Sequence, residues 1–183
     1  MQRVEEPTDE KIMHKVKDGQ LSELTTLFER YHIPLYNFFL KLTIDKSTSE
    51  DLTQTLFYRI LRFRHTFNHA NGSFKPWMYQ MARNIHADYC KQKMRISEVV
   101  KSTNSDTEEV PLEEGGVEEQ DFEKLQAALL ELGPIDRELI VLSRYEGLKY
   151  AEIAQIKNMS LSAVKVQIHR AMKELRALYF KQL

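Results

Sequence analysis

The stretch from Tyr150 to Arg176, YAEIAQIKNMSLSAVKVQIHRAMKELR, restricts the fold more than any other part of the chain. Ala154 is small enough to sit where two helices cross. Asn158, four residues on, tolerates the positive φ of a tight turn, and Val164 returns an apolar face to the crossing point. A small residue, a turn residue and a β-branched residue at this spacing predict a helix-turn-helix. Ile153, Ile156, Leu161 and Ile168 are expected on the same core, with Ser160 as N-cap of the second helix. Lys165, Val166, His169, Arg170 and Lys173 are then left pointing outward. An amphipathic helical hairpin of any all-α protein would share this pattern.

The rest of the chain must supply what such a motif lacks. Its 183 residues suffice for one or two small domains, and 42% hydrophobic content suits a folded protein. Cys90 is the lone cysteine, so no internal disulfide forms and a reducing compartment is expected. No apolar run approaches the roughly 20 residues that span a bilayer, and the polar, acidic start MQRVEEPTDEK is unlike a secretory signal. The chain is therefore expected in the cytoplasm, without membrane insertion. A net charge of −1 hides strong segregation. Cations crowd residues 59–95, where Asp88 is the only acid, and recur from Lys165 to Lys181; acids crowd residues 98–121.

Helical periodicity accounts for everything outside that acidic block, and no segment has strand period. Thr8 or Asp9 caps a first helix carrying Ile12 and Val16, which Asp18-Gly19 stops. Leu21, Leu24, Leu27, Phe28 and Tyr31 then recur at helical spacing, and Leu35, Phe38, Phe39 and Leu42 continue the apolar face, with Pro34 either kinking that helix or starting another. The spacing predicts a long helix from Ser47 to Phe67, opened by a Ser47–Glu50 capping box, with Leu52, Leu56, Ile60 and Phe63 on one face. A further helix runs from about Phe74 to Arg95 around Trp77, Met78, Met81, Ala82 and Ile85. Residues 96–121, with Pro111, Gly115-Gly116 and many acids, read as a flexible acidic linker that can span at most ~85–95 Å. Helices then recur from Phe122, with Gly133-Pro134 ending one and Asp136 capping the next. The fold class is all-α: two small helical domains, residues 1–95 and 122–183, joined by that linker.

Between Arg59 and Arg95, Phe63, Phe67, Phe74, Trp77, Tyr79 and Tyr89 alternate with basic residues. Aromatic faces stack on unpaired bases while cations follow phosphates, so this composition suits single-stranded nucleic acid better than closed duplex. A buried aromatic core beneath a solvated basic face would leave the same pattern. His65 with His69, and His86 with Cys90, are four apart and could each offer two metal ligands, but no third ligand follows at a recognisable spacing. No metal site, cofactor or catalytic residue is expected. No phosphate loop or nucleophile triad stands out either.

The blocks on the two sides of the linker resemble one family, the bacterial extracytoplasmic-function sigma factors of the sigma-70 superfamily. SEDLTQTLFYRIL resembles its polymerase-binding helix, FKPWMYQMARNIHADYCK its promoter −10 element, and ELGPIDRELIVLSRYEGLKYAEIAQIKNMSLSAVKVQIHRAMKELR its −35-reading domain. Lys149 stands where the family usually has a capping Ser or Thr; Ser162-Ala163 and Val166-Gln167 replace a common Gly-Thr and Ser-Arg.

The resemblance implies a factor that grips core RNA polymerase and promoter DNA together and promotes melting without hydrolysing anything. Lys165, Val166, His169, Arg170 and Lys173 would read or grip the −35 duplex. Asn71, Phe74, Trp77, Arg83 and Asn84 would hold the melted −10 strand, and Asp51, Gln54 and Phe57 would dock on polymerase. An anti-sigma factor is a further implied partner. Two other readings compete: a helix-turn-helix repressor or activator that dimerises through its N-terminal helices, and an enzyme acting on nucleic acid through its His pairs.

Overall fold

A computed structural model describes residues 7–100 and 117–181. Most of the expected linker, residues 101–116, lies outside the described residues, and its flexibility with it. The described chain is helical, with no strand: α1 (Asp9–Lys17), α2 (Leu24–Thr43), α3 (Lys46–Arg62), α4 (Phe74–Val100), α5 (Val117–Glu131), α6 (Pro134–Ile140), α7 (Tyr150–Lys157) and α8 (Leu161–Lys181). None of these helices is long and apolar enough to cross a membrane.

In the first unit, α2, α3 and α4 pack around Leu35, Phe38, Phe39, Leu56, Ile60, Met78 and Tyr79, all without solvent exposure. Helix α1 closes the core with Ile12, Met13 and Val16, and Thr8 caps it by accepting from the Lys11 amide. Asp9 then ties α1 to α2 by pairing with Arg30 at 2.8 Å. Helix α2 runs through Pro34 without restarting there.

The start of α3 corrects the expected capping box. Asp45, not Ser47, is the N-cap; its carboxylate accepts from the Thr48 amide, which holds Asp45 below the usual carboxylate range. Asp45 already satisfies the first orphan donor, so the helix begins at Lys46 and leaves Ser47 inside the first turn. Helix α3 also stops earlier than expected, at Arg62, and Phe63 is its exposed C-cap rather than part of the buried face.

Between α2 and α3, Ile44 adopts φ 63°, ψ 12° with its side chain in solvent. A β-branched residue in the left-handed region crowds its own Cβ against the carbonyl. Ile44→Gly therefore removes strain at a small loss of packing, and is expected to raise stability by about 1 kcal/mol. A shift of the denaturant midpoint to higher concentration at unchanged slope checks this; a midpoint that falls contradicts it.

In the second unit, α5 and α8 enclose Ala128, Leu129, Leu132, Ile140, Ala171 and Leu175. Gly133 is the N-cap of α6 and Pro134 its first residue, so Asp136 does not cap it as expected. The Arg137 guanidinium instead satisfies the end of α5, donating to the carbonyls of Leu129 at 2.8 Å and Leu132 at 3.2 Å. A π-helical turn, Val141–Tyr145, leads from α6 to Gly147 at φ 64°. The helices also reach beyond the compositional limits of the linker: α4 continues to Val100 and α5 starts at Val117. Leu139, Val141, Leu142 and Ile153 join one buried cluster with the α2–α4 core, so the two units pack against each other.

Candidate nucleic-acid interface

The helix-turn-helix forms from α7 and α8 as its spacing requires. Asn158 ends α7 at φ 51°, ψ 47°, the left-handed conformation asparagine tolerates. Ser160 accepts from the Ala163 amide at 3.1 Å and caps α8. Lysine has no acceptor to offer, so Lys149 cannot complete a reciprocal box at the start of α7. Glu152 supplies the other half, accepting from the Lys149 amide at 2.7 Å. Ile153, Ala154, Ile156, Val164 and Ile168 are buried. Leu161, expected with them, is 42% exposed, because the first turn of α8 overhangs the crossing point.

Lys165, Val166, His169, Arg170 and Lys173 are all exposed on α8, and Val166 shows 51% of its surface to solvent. Apolar contact area, a ring donor and three long cations thus share the outer side of one helix, a composition that can meet both base edges and phosphates. Sequence reasoning passed over two neighbours. Gln167 donates to the Asp136 carboxylate at 3.2 Å, and both line a shallow depression with Ser162, Ala163, Val166 and Arg170. Asp136 lies on another helix, 31 residues away, and carried no signal for this role.

The aromatic-basic segment divides into support and surface. The Phe74 amide donates to Glu10 at 3.0 Å, so α1 supplies a tertiary cap where α4 begins. Phe74 itself is 0% exposed, stacked among Tyr31, Phe67 and Trp77 at centroid distances of 5.7, 6.0 and 5.9 Å. In this conformation it cannot reach a base; it buttresses Trp77, which is half-buried. Asn84 is exposed, and Arg83 forms an ion pair with Glu138 of α6 at 3.0 Å. Asn71 falls in the short turn His69–Asn71 ahead of α4, and its side chain lies outside the described residues. A cleft of about 410 Å³ opens beside that turn, lined by Asn68, Ser73 and Trp77 on one side and by Gln155 and Ile156 of α7 on the other.

On α3, Asp51 and Gln54 are exposed, whereas Phe57 is 8% exposed and packs on Phe28 at 4.8 Å between ring centroids. Phe57 thus anchors the stripe from below. Gln54 borders an apolar groove formed by Phe28, His32, Ile33 and Tyr36. His86 and Cys90 do meet, at 3.5 Å, and burial pushes the imidazole down and the thiol up, keeping both neutral near pH 7. No group of three or more metal-ligating side chains occurs among the described residues.

Comparison with known proteins places these elements in a common frame. The family model for Sigma-70 region 2 matches residues 27–96, and that for Sigma-70 region 4 matches residues 122–175. The ECF RNA polymerase sigma factor SigX of Bacillus subtilis is 31% identical over 156 residues, 82% of this chain and 80% of that one. SigM of the same organism is 31% identical over 157 residues, 84% of this chain and 93% of that one. Among solved structures, CnrH in complex with the cytosolic domain of CnrY superposes with a TM-score of 0.71 at 19% identity, covering 94% of this chain and 97% of that one. The sigma factor RpoE in complex with the anti-sigma factor NepR from Bartonella quintana gives 0.69 at 21% identity, covering 84% and 94%.

Proposed function

This chain belongs to the extracytoplasmic-function (ECF) sigma factors of the sigma-70 family, and we propose on that footing how its two units divide the work. It initiates transcription through RNA polymerase and is not itself an enzyme: the polymerase makes the RNA. Residues 1–95 bind core polymerase and the −10 element, residues 122–183 bind the −35 element, and residues 96–121 connect them. It works in the cytoplasm, beside the polymerase. An anti-sigma factor is its further partner, a reading supported by the similar fold of the sigma factor RpoE, solved in complex with the anti-sigma factor NepR.

One observation carries the division: an exposed apolar-and-basic helix face sits on the unit that matches region 4, while exposed Asn84 and half-exposed Trp77 sit on the unit that matches region 2. The first meets closed duplex in the major groove with Lys165, Val166, His169 and Arg170, and Lys173 adds a phosphate contact. The second offers a polar amide and an aromatic edge to bases that must leave the stack before they are reached. A factor that binds bases only when they are unstacked shifts the promoter toward its open form.

Docking on polymerase is assigned to Asp51 and Gln54, held in place by Phe57. The test is whether the purified chain co-elutes with core RNA polymerase and confers promoter-specific transcription. Asp51→Arg should weaken core binding by about tenfold through a wrong-signed charge at the interface, with helicity unchanged. Wild-type affinity of that variant in a pull-down titration would remove Asp51 from the docking surface.

A further inference from the structure

Beside its apolar cluster, the contact between the two units contains a carboxylate buried in an unusual place. Glu146 follows the π-helical turn of the second unit and is 7% exposed. Its side chain accepts from the Tyr79 hydroxyl on α4, which is fully buried, and its carbonyl accepts from Lys75 on the same helix. Lys41 of α2 completes the surroundings, acting electrostatically on Glu146 while its ammonium lies 4.6 Å from the centre of the Tyr145 ring. A second carboxylate of the same unit, Glu138, pairs with Arg83 of α4 and with Lys157 of α7.

A charge withdrawn from water without partners is costly, and partners that satisfy it confer orientation more than strength. The side chains around the Glu146 carboxylate come from the first unit, yet Glu146 lies at the surface of its own. If the units part, the carboxylate and Lys75, Lys41 and Arg83 all regain water, so the polar groups are satisfied in both arrangements and the main cost of separation is the apolar seam of Leu139, Val141, Leu142 and Ile153. That is the property of a reversible catch.

We propose that Glu146, seconded by Glu138, latches the second unit over the −10 face of the free chain, with its carboxylates standing where the phosphates of a melted strand would lie. The correspondence with strand phosphates rests on the −10 reading given above; the latch itself does not. The latched form engages Arg83 and Lys75, and α7 walls the cleft beside Trp77 with Gln155 and Ile156. Core polymerase or promoter DNA must therefore work against this contact, and the free factor is kept from single strands it meets by chance.

The test uses the full-length chain without polymerase. Glu146→Lys sets a cation against Lys75 and Lys41 in the latched form but is fully solvated when the units separate. Tyr79→Phe removes only the hydroxyl and keeps the buried ring. Small-angle scattering should show Glu146→Lys expanding away from the wild-type radius of gyration, with Tyr79→Phe moving less in the same direction. A short fluorescein-labelled single strand of mixed sequence should bind Glu146→Lys about 10–100-fold more tightly, the gain expected when a binding-competent state of about 1–10% becomes dominant. Wild-type dimensions in both variants overturn the latch. Expansion without tighter strand binding supports the latch and instead removes Arg83 from the −10 assignment. If Glu146→Lys loses helicity, Tyr79→Phe decides alone: expansion supports the latch and unchanged dimensions overturn it.

Discussion

Asn84→Ala is expected to impair open-complex formation by about 1–3 kcal/mol, the worth of one lost base contact, while leaving closed-complex binding nearly intact. The side chain is exposed on α4 and takes no part in the buried core, so the fold should not register its loss. The selectivity of the effect is the informative part. Duplex DNA hides the hydrogen-bonding edge that an amide reads on a flipped or splayed base, so a residue that acts after opening contributes nothing before it. Permanganate footprinting on a duplex promoter, set beside a template already melted at −10, separates the two stages. The variant should bind the melted template more weakly than wild type while matching it in closed-complex binding to the duplex. Equal loss at both stages would mean that Asn84 grips the backbone or supports the helix instead. Phe74 gives a built-in contrast. It is sealed among Tyr31, Phe67 and Trp77, so its truncation should lower stability first and melting only as a consequence.

Substitutions on α8 should divide into those that change which promoter is chosen and those that change only how tightly it is held. Val166 exposes half of an apolar side chain where only a thymine methyl offers groove contact of that kind. His169 offers a ring donor to a base acceptor. Val166→Ser and His169→Ala are therefore expected to alter the −35 bases selected from a randomised library, with about 1–3 kcal/mol at the affected position. Lys173 lies one turn beyond His169 and is exposed, the position proposed above to meet phosphate. Lys173→Ala should weaken binding on all sequences alike and reduce the salt slope by about 0.9, one counterion's share. An unchanged base preference in both Val166→Ser and His169→Ala would transfer promoter choice to the −10 unit. Gln167 stands beside them: its amide is committed to Asp136, which orients the residue next to Val166 and ties α6 to this face of α8.

How much of the site was readable follows from how local its causes are. The helix-turn-helix was legible because Ala154, Asn158 and Val164 act within ten residues of one another, and because a positive φ at the turn leaves few residue types to choose from. The outward set on α8 followed from period alone. The same reasoning put Leu161 inward, and missed because it assumed that the crossing extends to the first turn of the helix. It chose Ser47 as a cap for its residue type and spacing to Glu50, although Asp45, two residues earlier, accepts from the Thr48 amide first. In the aromatic-basic stretch, composition could not separate stacking residues from buttresses. Phe74 and Phe57 differ from Trp77 in burial, and burial depends on α1 and α2, which are distant in sequence.

By itself, the sequence determined the all-helical class, the turn at Asn158, the segregation of charge into two basic patches and the family to which these patterns belong. Each is set by side-chain volume, backbone preference or charge within a few residues, so each can be read along the chain. Only the tertiary structure decided which aromatic rings are load-carrying core, that Glu10 caps a helix 64 residues away, and that Glu146 is buried against Tyr79 across a separation of 67 residues. No periodicity encodes such pairings. They arise where two preformed surfaces meet, and a carboxylate becomes a latch only when the opposite surface supplies the hydroxyl and ammonium groups that make its burial tolerable.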